Sequence, residues 1–432
     1  MHMAKKEPKK PRKAKALPEQ NEEKRSLADL VVPALTKDQV VAFINEAAGG
    51  EVIQVADQSG NPFLLRRPFH IADIDSQTFG GPPSGGTTQI CGPDGVGKNA
   101  LCWRAIAACQ KIYGAEASIG WCWLELPPDK GHALINGACV PWSEDELLLE
   151  EQRRHVAGLS PLSAVELDTL TKTIGAFYIM DGGTAEARLE ATAQLIAANC
   201  CQLVIVDSIS SATTHYRMET SLENEPKQAA TALMLSEFQK KCWGFFSSPL
   251  RGRFNFTSLL IIGQVRTRQK TGVGAKARFQ KDYEDNSPRA IRHGKLLDLM
   301  LSYGSHIPEQ RPYQGKWIPW EVVKAKAGSH EGFKGQVPYF YETGFDIHHN
   351  LVMTADHLGL VIKRGKEGSA GCDLIDAGGN VILERAPWGT GGSRLMTLLS
   401  ELYAQDDALV GAWGQLYRAV LNKRNASCLH YL

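Results

Sequence analysis

Gly92, Gly97 and Lys98 stand at the spacing G-x-x-x-x-G-K, the pattern of a loop that grips phosphate. Glycines let successive backbone N–H groups turn inward toward phosphate oxygens, and the lysine reaches the outer phosphates. The residue after that lysine normally carries a hydroxyl that holds Mg²⁺. Here it is Asn99, whose amide oxygen can still ligate the ion as a neutral and longer group. The binding segment reads Gly92, Pro93, Asp94, Gly95, Val96, Gly97, Lys98, Asn99 and Ala100. It predicts binding of a nucleoside triphosphate with Mg²⁺, and slow hydrolysis.

A second chemical group lies about 110 residues further on. The apolar run 203–206 ends in Asp207, and a carboxylate at a strand tip beside a phosphate loop holds Mg²⁺ directly or through water. Asn99 and Asp207 are therefore the candidate metal ligands. Gln264 ends another apolar run, 259–263. It either touches the γ-phosphate or its water, reporting nucleotide state, or is a polar strand end facing solvent. From 266 to 292 the chain carries Arg266, Arg268, Lys270, Lys276, Arg278, Lys281, Arg289 and Arg292, interleaved with Phe279 and Tyr283. Cations track a nucleic-acid backbone and aromatic rings stack on bases, so this reads as a nucleic-acid loop.

These groups need a frame. Residues 87–91 read as a strand entering the phosphate loop and 100–108 as a helix leaving it, where helix dipole and free N–H groups favour an anion. Apolar runs at 119–124, 176–180, 203–207, 259–263 and 297–303 alternate with helical patterns. That predicts an α/β fold with a mostly parallel central sheet covered on both faces. Capping boxes at Ser143–Glu146 and Ser163–Glu166 predict a helical insertion over 143–174. Glycine-rich turns at 365–371 and 389–392, then one helical segment over 395–421, predict a small α/β domain at the C-terminal end.

Ahead of the core, another capping box opens a short amphipathic helix over 36–47, and 52–55 reads as a strand. Residues 5–15 hold seven basic side chains against Glu7, with Pro8 and Pro11 among them. That stretch cannot pack a core and reads as disordered, either a nucleic-acid arm or a solvated tail. Four segments result: a basic tail over 1–30, a helix and strand over 31–68, a core over 69–345, and the small domain over 346–432. A chain of 432 residues that is 43% apolar and 22% charged is an ordinary soluble protein. The ten cysteines show no zinc-ligand spacing and sit mostly in apolar runs. With no apolar run near 18 residues and no secretion signal, a cytoplasmic protein without membrane contact is expected.

Taken in order, from about residue 70 to the end, these motifs resemble the RecA family of homologous-recombination ATPases. The run Val322-Val323-Lys324-Ala325-Lys326 is similar to that family's V-V-K-x-K strand, and residues 290–295 resemble the helix start that closes its second DNA loop. The resemblance implies ATP and Mg²⁺ as cofactors and Lys98 as the phosphate-binding lysine. It implies Lys324 and Lys326 reaching the ATP of a neighbouring copy, and DNA loops over 211–226, with Arg217, and 267–289. It further implies a helical filament on single-stranded DNA that samples homologous duplex DNA. The helix near 36–47 would pack on the adjacent copy. The family's catalytic carboxylate lies in a D-x-E pattern after the second strand. Here Glu125 falls on the first acid and Pro127 on the second, so either Glu125 serves as base through a local shift or the base is missing. A RecA-fold hexameric helicase or motor, and a weakly hydrolysing DNA-coating scaffold, are the alternative readings.

Overall fold

Six strands run parallel, most of them apolar along their length and needing cover on both faces. In the computed structural model, which describes residues 65–212, 228–248, 250, 254–267, 283–285, 289–308, 312–405 and 407–424, these strands are β1 (Gly86–Gly92), β2 (Ser118–Trp123), β3 (Ala176–Met180), β4 (Leu203–Asp207), β5 (Ser258–Thr267) and β7 (Leu297–Leu301). β6 (Tyr283–Asp285) and β8 (His306–Ile307) are short additions, and β9 (Gly315–Ala325), β10 (Lys334–Phe340) and β11 (Gly344–Phe345) extend one side antiparallel. The order across the sheet is β11-β10-β9-β7-β1-β5-β4-β2-β3, with β6 on β5 and β8 on β9. Successive side chains of a strand point to opposite faces. Leu203, Ile205, Leu260 and Ile262 accordingly join the larger core, while Val204, Val206, Leu259 and Ile261 join a second core on the other face.

The helices follow the chain as α1 (Ala72–Gln77), α2 (Lys98–Tyr113), α3 (Lys130–Ile135), α4 (Glu144–Val156), α5 (Ala164–Thr171), α6 (Ala185–Ala198), α7 (Gln228–Ser247), α8 (Arg289–Gly294), α9 (Ile347–His357), α10 (Ser393–Ala404) and α11 (Ala412–Arg424). Helix α2 is buried all round from Ala100 to Gln110, which places it under the sheet as a core helix. Trp103 of α2 stacks on Trp121 of β2 with ring centres 4.1 Å apart, locking helix to strand. Leu189 and Ile196 of α6, Phe238 and Cys242 of α7 and Ile291 of α8 supply the second core.

Both predicted capping boxes of the insertion are present. Ser143 and Ser163 cap α4 and α5, with Glu146 and Glu166 returning to their backbones. Arg154 joins the two helices by pairing with Glu150 and Glu166. At the C-terminal end, β12 (Val361–Lys363), β13 (Cys372–Ile375) and β14 (Val381–Ala386) form an antiparallel sheet beside α9, α10 and α11. The single helix expected over 395–421 is two helices. Gly411 and Val410 both donate to the Asp407 carbonyl in a turn, and the Leu409 backbone lies so close to Gly414 that the helix axis must change there. The described residues belong to one compact unit; the expected tail, the helix at 36–47 and the strand at 52–55 lie outside the described residues.

Candidate nucleotide site

Parallel strands in this order bring their C-terminal ends together, and a crevice opens there. The loop after β1 turns through Gly95 and Gly97, both at positive φ, into the first turn of α2. A Cβ on Gly97 would lie 2.7 Å from Ile318 Cδ1, so this position needs glycine for conformation and for space. Asp207 ends β4, Gln264 lies in β5, and Glu125 follows β2. These three line one cleft of about 270 Å³ with Asp94, Gly95, Lys98, Asn99 and Ser208.

Lys98 is buried, and its Nζ donates to the carbonyls of Gly92 at 2.9 Å and Pro93 at 2.7 Å. Burial lowers its pKa from the usual lysine value, against the pull of Asp94. Asn99 Nδ2 donates to Asp207 Oδ2 at 2.7 Å. Burial, and then the nearby Glu125 charge, push the Asp207 carboxyl up to about 6, although the Asn99 bond and Lys98 act the other way. Ser208 Oγ donates to Glu125 Oε2 at 2.7 Å, and Gln264 N donates to Ser210 Oγ at 3.0 Å. From across the sheet, Tyr303 OH donates to the Asp94 carbonyl and Lys316 Nζ to the Gly95 carbonyl.

The cleft thus gathers Lys98, Asn99, Glu125, Asp207 and Gln264 from four separate stretches of chain. Pro127 is not among its lining residues, and Glu125 is, held by Ser208. Of the two readings, Glu125 as base or no base at all, the first has its carboxylate at the cleft. Leu124 N bonds the Asp207 carbonyl at the end of the β2–β4 pair, and that bond sets the register one residue ahead of Glu125. Gln264 also lines this cleft.

Lys324 and Lys326 lie elsewhere. Lys324 stands opposite Asp298 and Ala325 opposite Leu297, while Leu297 itself pairs with Thr88 near the start of β1. The phosphate loop leaves the other end of β1, so the lysine pair and the cleft occupy opposite ends of the sheet. Lys324 Nζ donates to Arg292 O at 2.5 Å and Lys326 Nζ to His293 O at 2.6 Å, at the end of α8. Arg292 is exposed beside them.

The basic segment begins differently from the loop expected. Val265, Arg266 and Thr267 continue β5 and pair with β6 as an antiparallel ribbon, because Val and Thr favour extended backbone and Tyr283 sits across from Thr267. Arg266 belongs to that ribbon and Arg289 opens α8. Arg217, Arg268, Lys270, Lys276, Arg278 and Lys281 lie outside the described residues.

Ser208, Ser210, Tyr303 and Lys316 were not singled out from sequence. The small polar run Ser208-Ile209-Ser210-Ser211 after the acidic strand was a signal for the first two. Tyr303 and Lys316 reach the loop from more than 200 residues away and carry no local mark. Among the described residues no group of three or more His, Cys, Asp or Glu could hold a metal, and no helix is long and apolar enough to cross a membrane.

No family model matches the chain. It is similar to Protein RecA of Bacteroides thetaiotaomicron, 24% identical over 318 residues that cover 74% of this chain and 78% of that protein. Protein RecA of Thermotoga neapolitana is 23% identical over 68% of this chain and 69% of its own length. Protein RecA of Xanthomonas campestris pv. campestris is 25% identical over 197 residues, 45% of this chain and 43% of its own length, so the chain spans less than half of that relative. A crystal structure of the RadB recombinase aligns with a TM-score of 0.37 and 16% identity, covering 63% of this chain and 95% of that one.

Proposed function

We propose that this chain, which is similar to RecA proteins along most of its length, is an ATP-dependent DNA recombinase that forms filaments on single-stranded DNA and promotes homologous pairing and strand exchange. The observation that carries the reading is the placement of the cleft and the Lys324–Lys326 pair at opposite ends of one sheet. Two cation sets that cannot meet in one chain can meet between two copies stacked head to tail. ATP then lies in the cleft of one copy and under the lysine pair of the next, so nucleotide occupancy governs assembly on DNA.

Within the cleft, the loop N–H groups and Lys98 hold the β- and γ-phosphates. The oxygens of Asp207 and the Asn99 side chain suit a hard cation, and their closeness around a carboxyl that burial keeps uneasy fits Mg²⁺. That ion, when bound, would neutralise charge developing on the transferred phosphoryl group. Glu125 takes the proton of the attacking water, with Ser208 fixing its carboxylate. Gln264 senses the γ-phosphate and passes its state along β5 to the ribbon and the basic segment beyond. Arg217, Arg266, Arg268, Lys270, Lys276, Arg278, Lys281, Arg289 and Arg292 hold the DNA backbone. Residues 31–68 pack on the adjacent copy, 69–345 form the ATPase core, and 346–432 form the C-terminal lobe of a cytoplasmic protein.

The Asn99–Asp207 bond also favours a second reading, a DNA-coating scaffold that hydrolyses weakly, because the metal's anchoring residues are engaged with each other. Electron microscopy and strand exchange decide among these. With ATP, Mg²⁺ and single-stranded DNA, helical filaments that exchange homologous strands are expected. Filaments without exchange leave the scaffold, and closed rings leave a hexameric motor.

A further inference from the structure

A second cavity, of about 560 Å³, lies where α2 and the turn after α3 meet the start of α9 and one face of α10. Arg104 stands in its wall, 5% exposed, six residues beyond Lys98 on the same helix. Its Nη1 donates to the Asn136 carbonyl at 2.8 Å, while Nε and Nη2 make no hydrogen bond and are shielded from water. Those two nitrogens share one edge of the guanidinium, the edge that matches two oxygens of a carboxylate or phosphate. Asn136, also buried in this wall, leaves its Oδ1 unpartnered.

A buried cation without a partner is costly, and proteins seldom leave two such N–H groups idle. Asp75 feels this charge, yet its carboxylate accepts from Phe69 N, Ile71 N and Tyr417 OH and not from Arg104. Asp346 and Glu401 also line the cavity, Asp346 accepting from His349 N at the start of α9 and Glu401 exposed, and among the described residues Arg104 forms no ion pair with either. The anion that completes this wall is therefore not supplied by the surrounding side chains.

We propose that this cavity is an oxyanion site, separate from the nucleotide cleft, for a small compound bearing a carboxylate or a phosphate. Arg104 pivots on its bond to Asn136 and turns the Nε–Nη2 edge onto two ligand oxygens. The hydroxyls of Thr343 and Ser400, which line the same space, supply further donors.

The test uses full-length protein carrying Lys98→Ala, so that anion binding by the phosphate loop is strongly weakened and failure of one site is separable from failure of the other. Inorganic phosphate and succinate are titrated by calorimetry and by thermal unfolding. One of them is expected to bind at a single site with a millimolar or tighter Kd, raising the unfolding temperature, and which one binds identifies the ligand class. Adding Arg104→Gln is expected to weaken that binding by more than about tenfold. Adding Glu401→Gln at the exposed rim removes a like charge and is expected to tighten it roughly two- to fivefold. Absence of binding by either anion overturns the proposal, as does unchanged affinity in a cooperatively unfolding Arg104→Gln protein. Should Arg104→Gln fail to fold, unchanged or weaker affinity in Glu401→Gln overturns it.

Discussion

Lys98→Ala is expected to lose ATP binding by about 30- to 1,000-fold while the fold persists. In the free protein the ammonium spends its donors on Gly92 and Pro93 carbonyls of its own loop, so its removal breaks no contact between elements. Burial already disfavours its charge, so alanine removes a destabilising group from the empty site. Only a bound polyphosphate recovers that cost, through one or two charge-assisted hydrogen bonds totalling about 2–4 kcal/mol. At about 1.4 kcal/mol per tenfold, the loss falls in the stated range. Calorimetric titration with ATP at millimolar Mg²⁺ measures it directly. An affinity within a factor of three of the unmodified protein would remove Lys98 from the site.

Asp207→Asn is expected to act in opposite directions on stability and on function. The Asp207 carboxyl sits at about 6 in the folded chain, above its ordinary value near 4. A raised carboxyl takes up its proton more readily in the folded than in the unfolded state. Its penalty is thus absent below about pH 4, grows as pH rises from about 4 to 6, and is complete at pH 7. Asparagine removes that penalty, so the nucleotide-free variant should be more stable by about 3 kcal/mol at pH 7 and no different at pH 4. The same change withdraws the one carboxylate that Asn99 and Lys98 surround, so Mg²⁺-dependent ATP binding should fall at least about tenfold. In the unmodified protein the Mg²⁺-dependent part of ATP affinity should itself decline as pH drops through 6. Thermal unfolding at the two pH values, with ATP titrations alongside, checks both effects. A variant less stable than its parent at pH 7 would contradict the electrostatic account of this residue.

Much of this site could be read from sequence because each part is local. The phosphate loop occupies eight residues, the acidic strand five, and the Gln264 strand a similar run, and each carries its chemistry at one end. Parallel pairing of apolar strands then brings those ends together without further instruction, as the β1–β5 and β4–β5 registers confirm. Glu125 was ambiguous because a D-x-E pattern can be laid on Glu125 and Pro127 in two ways. A backbone bond from Leu124 to Asp207 and a hydroxyl from Ser208 place Glu125 at the cleft, and neither is visible along the chain. Tyr303 and Lys316 were invisible for the same reason, since Tyr303 meets the loop only after β7 pairs with β1, and Lys316 only after β9 folds back beside β7. The helix over 395–421 was misread because its apolar periodicity continues across Asp407 and Gly411, where close backbone approach, not side-chain pattern, forces the break.

The central claim is that one ATP is shared by two copies, and mixing variants tests it most directly. Lys98→Ala keeps a sound lysine pair with a defective cleft; the double variant Lys324→Ala, Lys326→Ala keeps a sound cleft with a defective pair. Each alone should be inert in DNA-stimulated phosphate release. An equal mixture assembling at random places a sound cleft against a sound pair at about a quarter of its junctions, so roughly a quarter of the parental activity should return. A mixture that co-assembles and stays as silent as its components would contradict a site built from two chains.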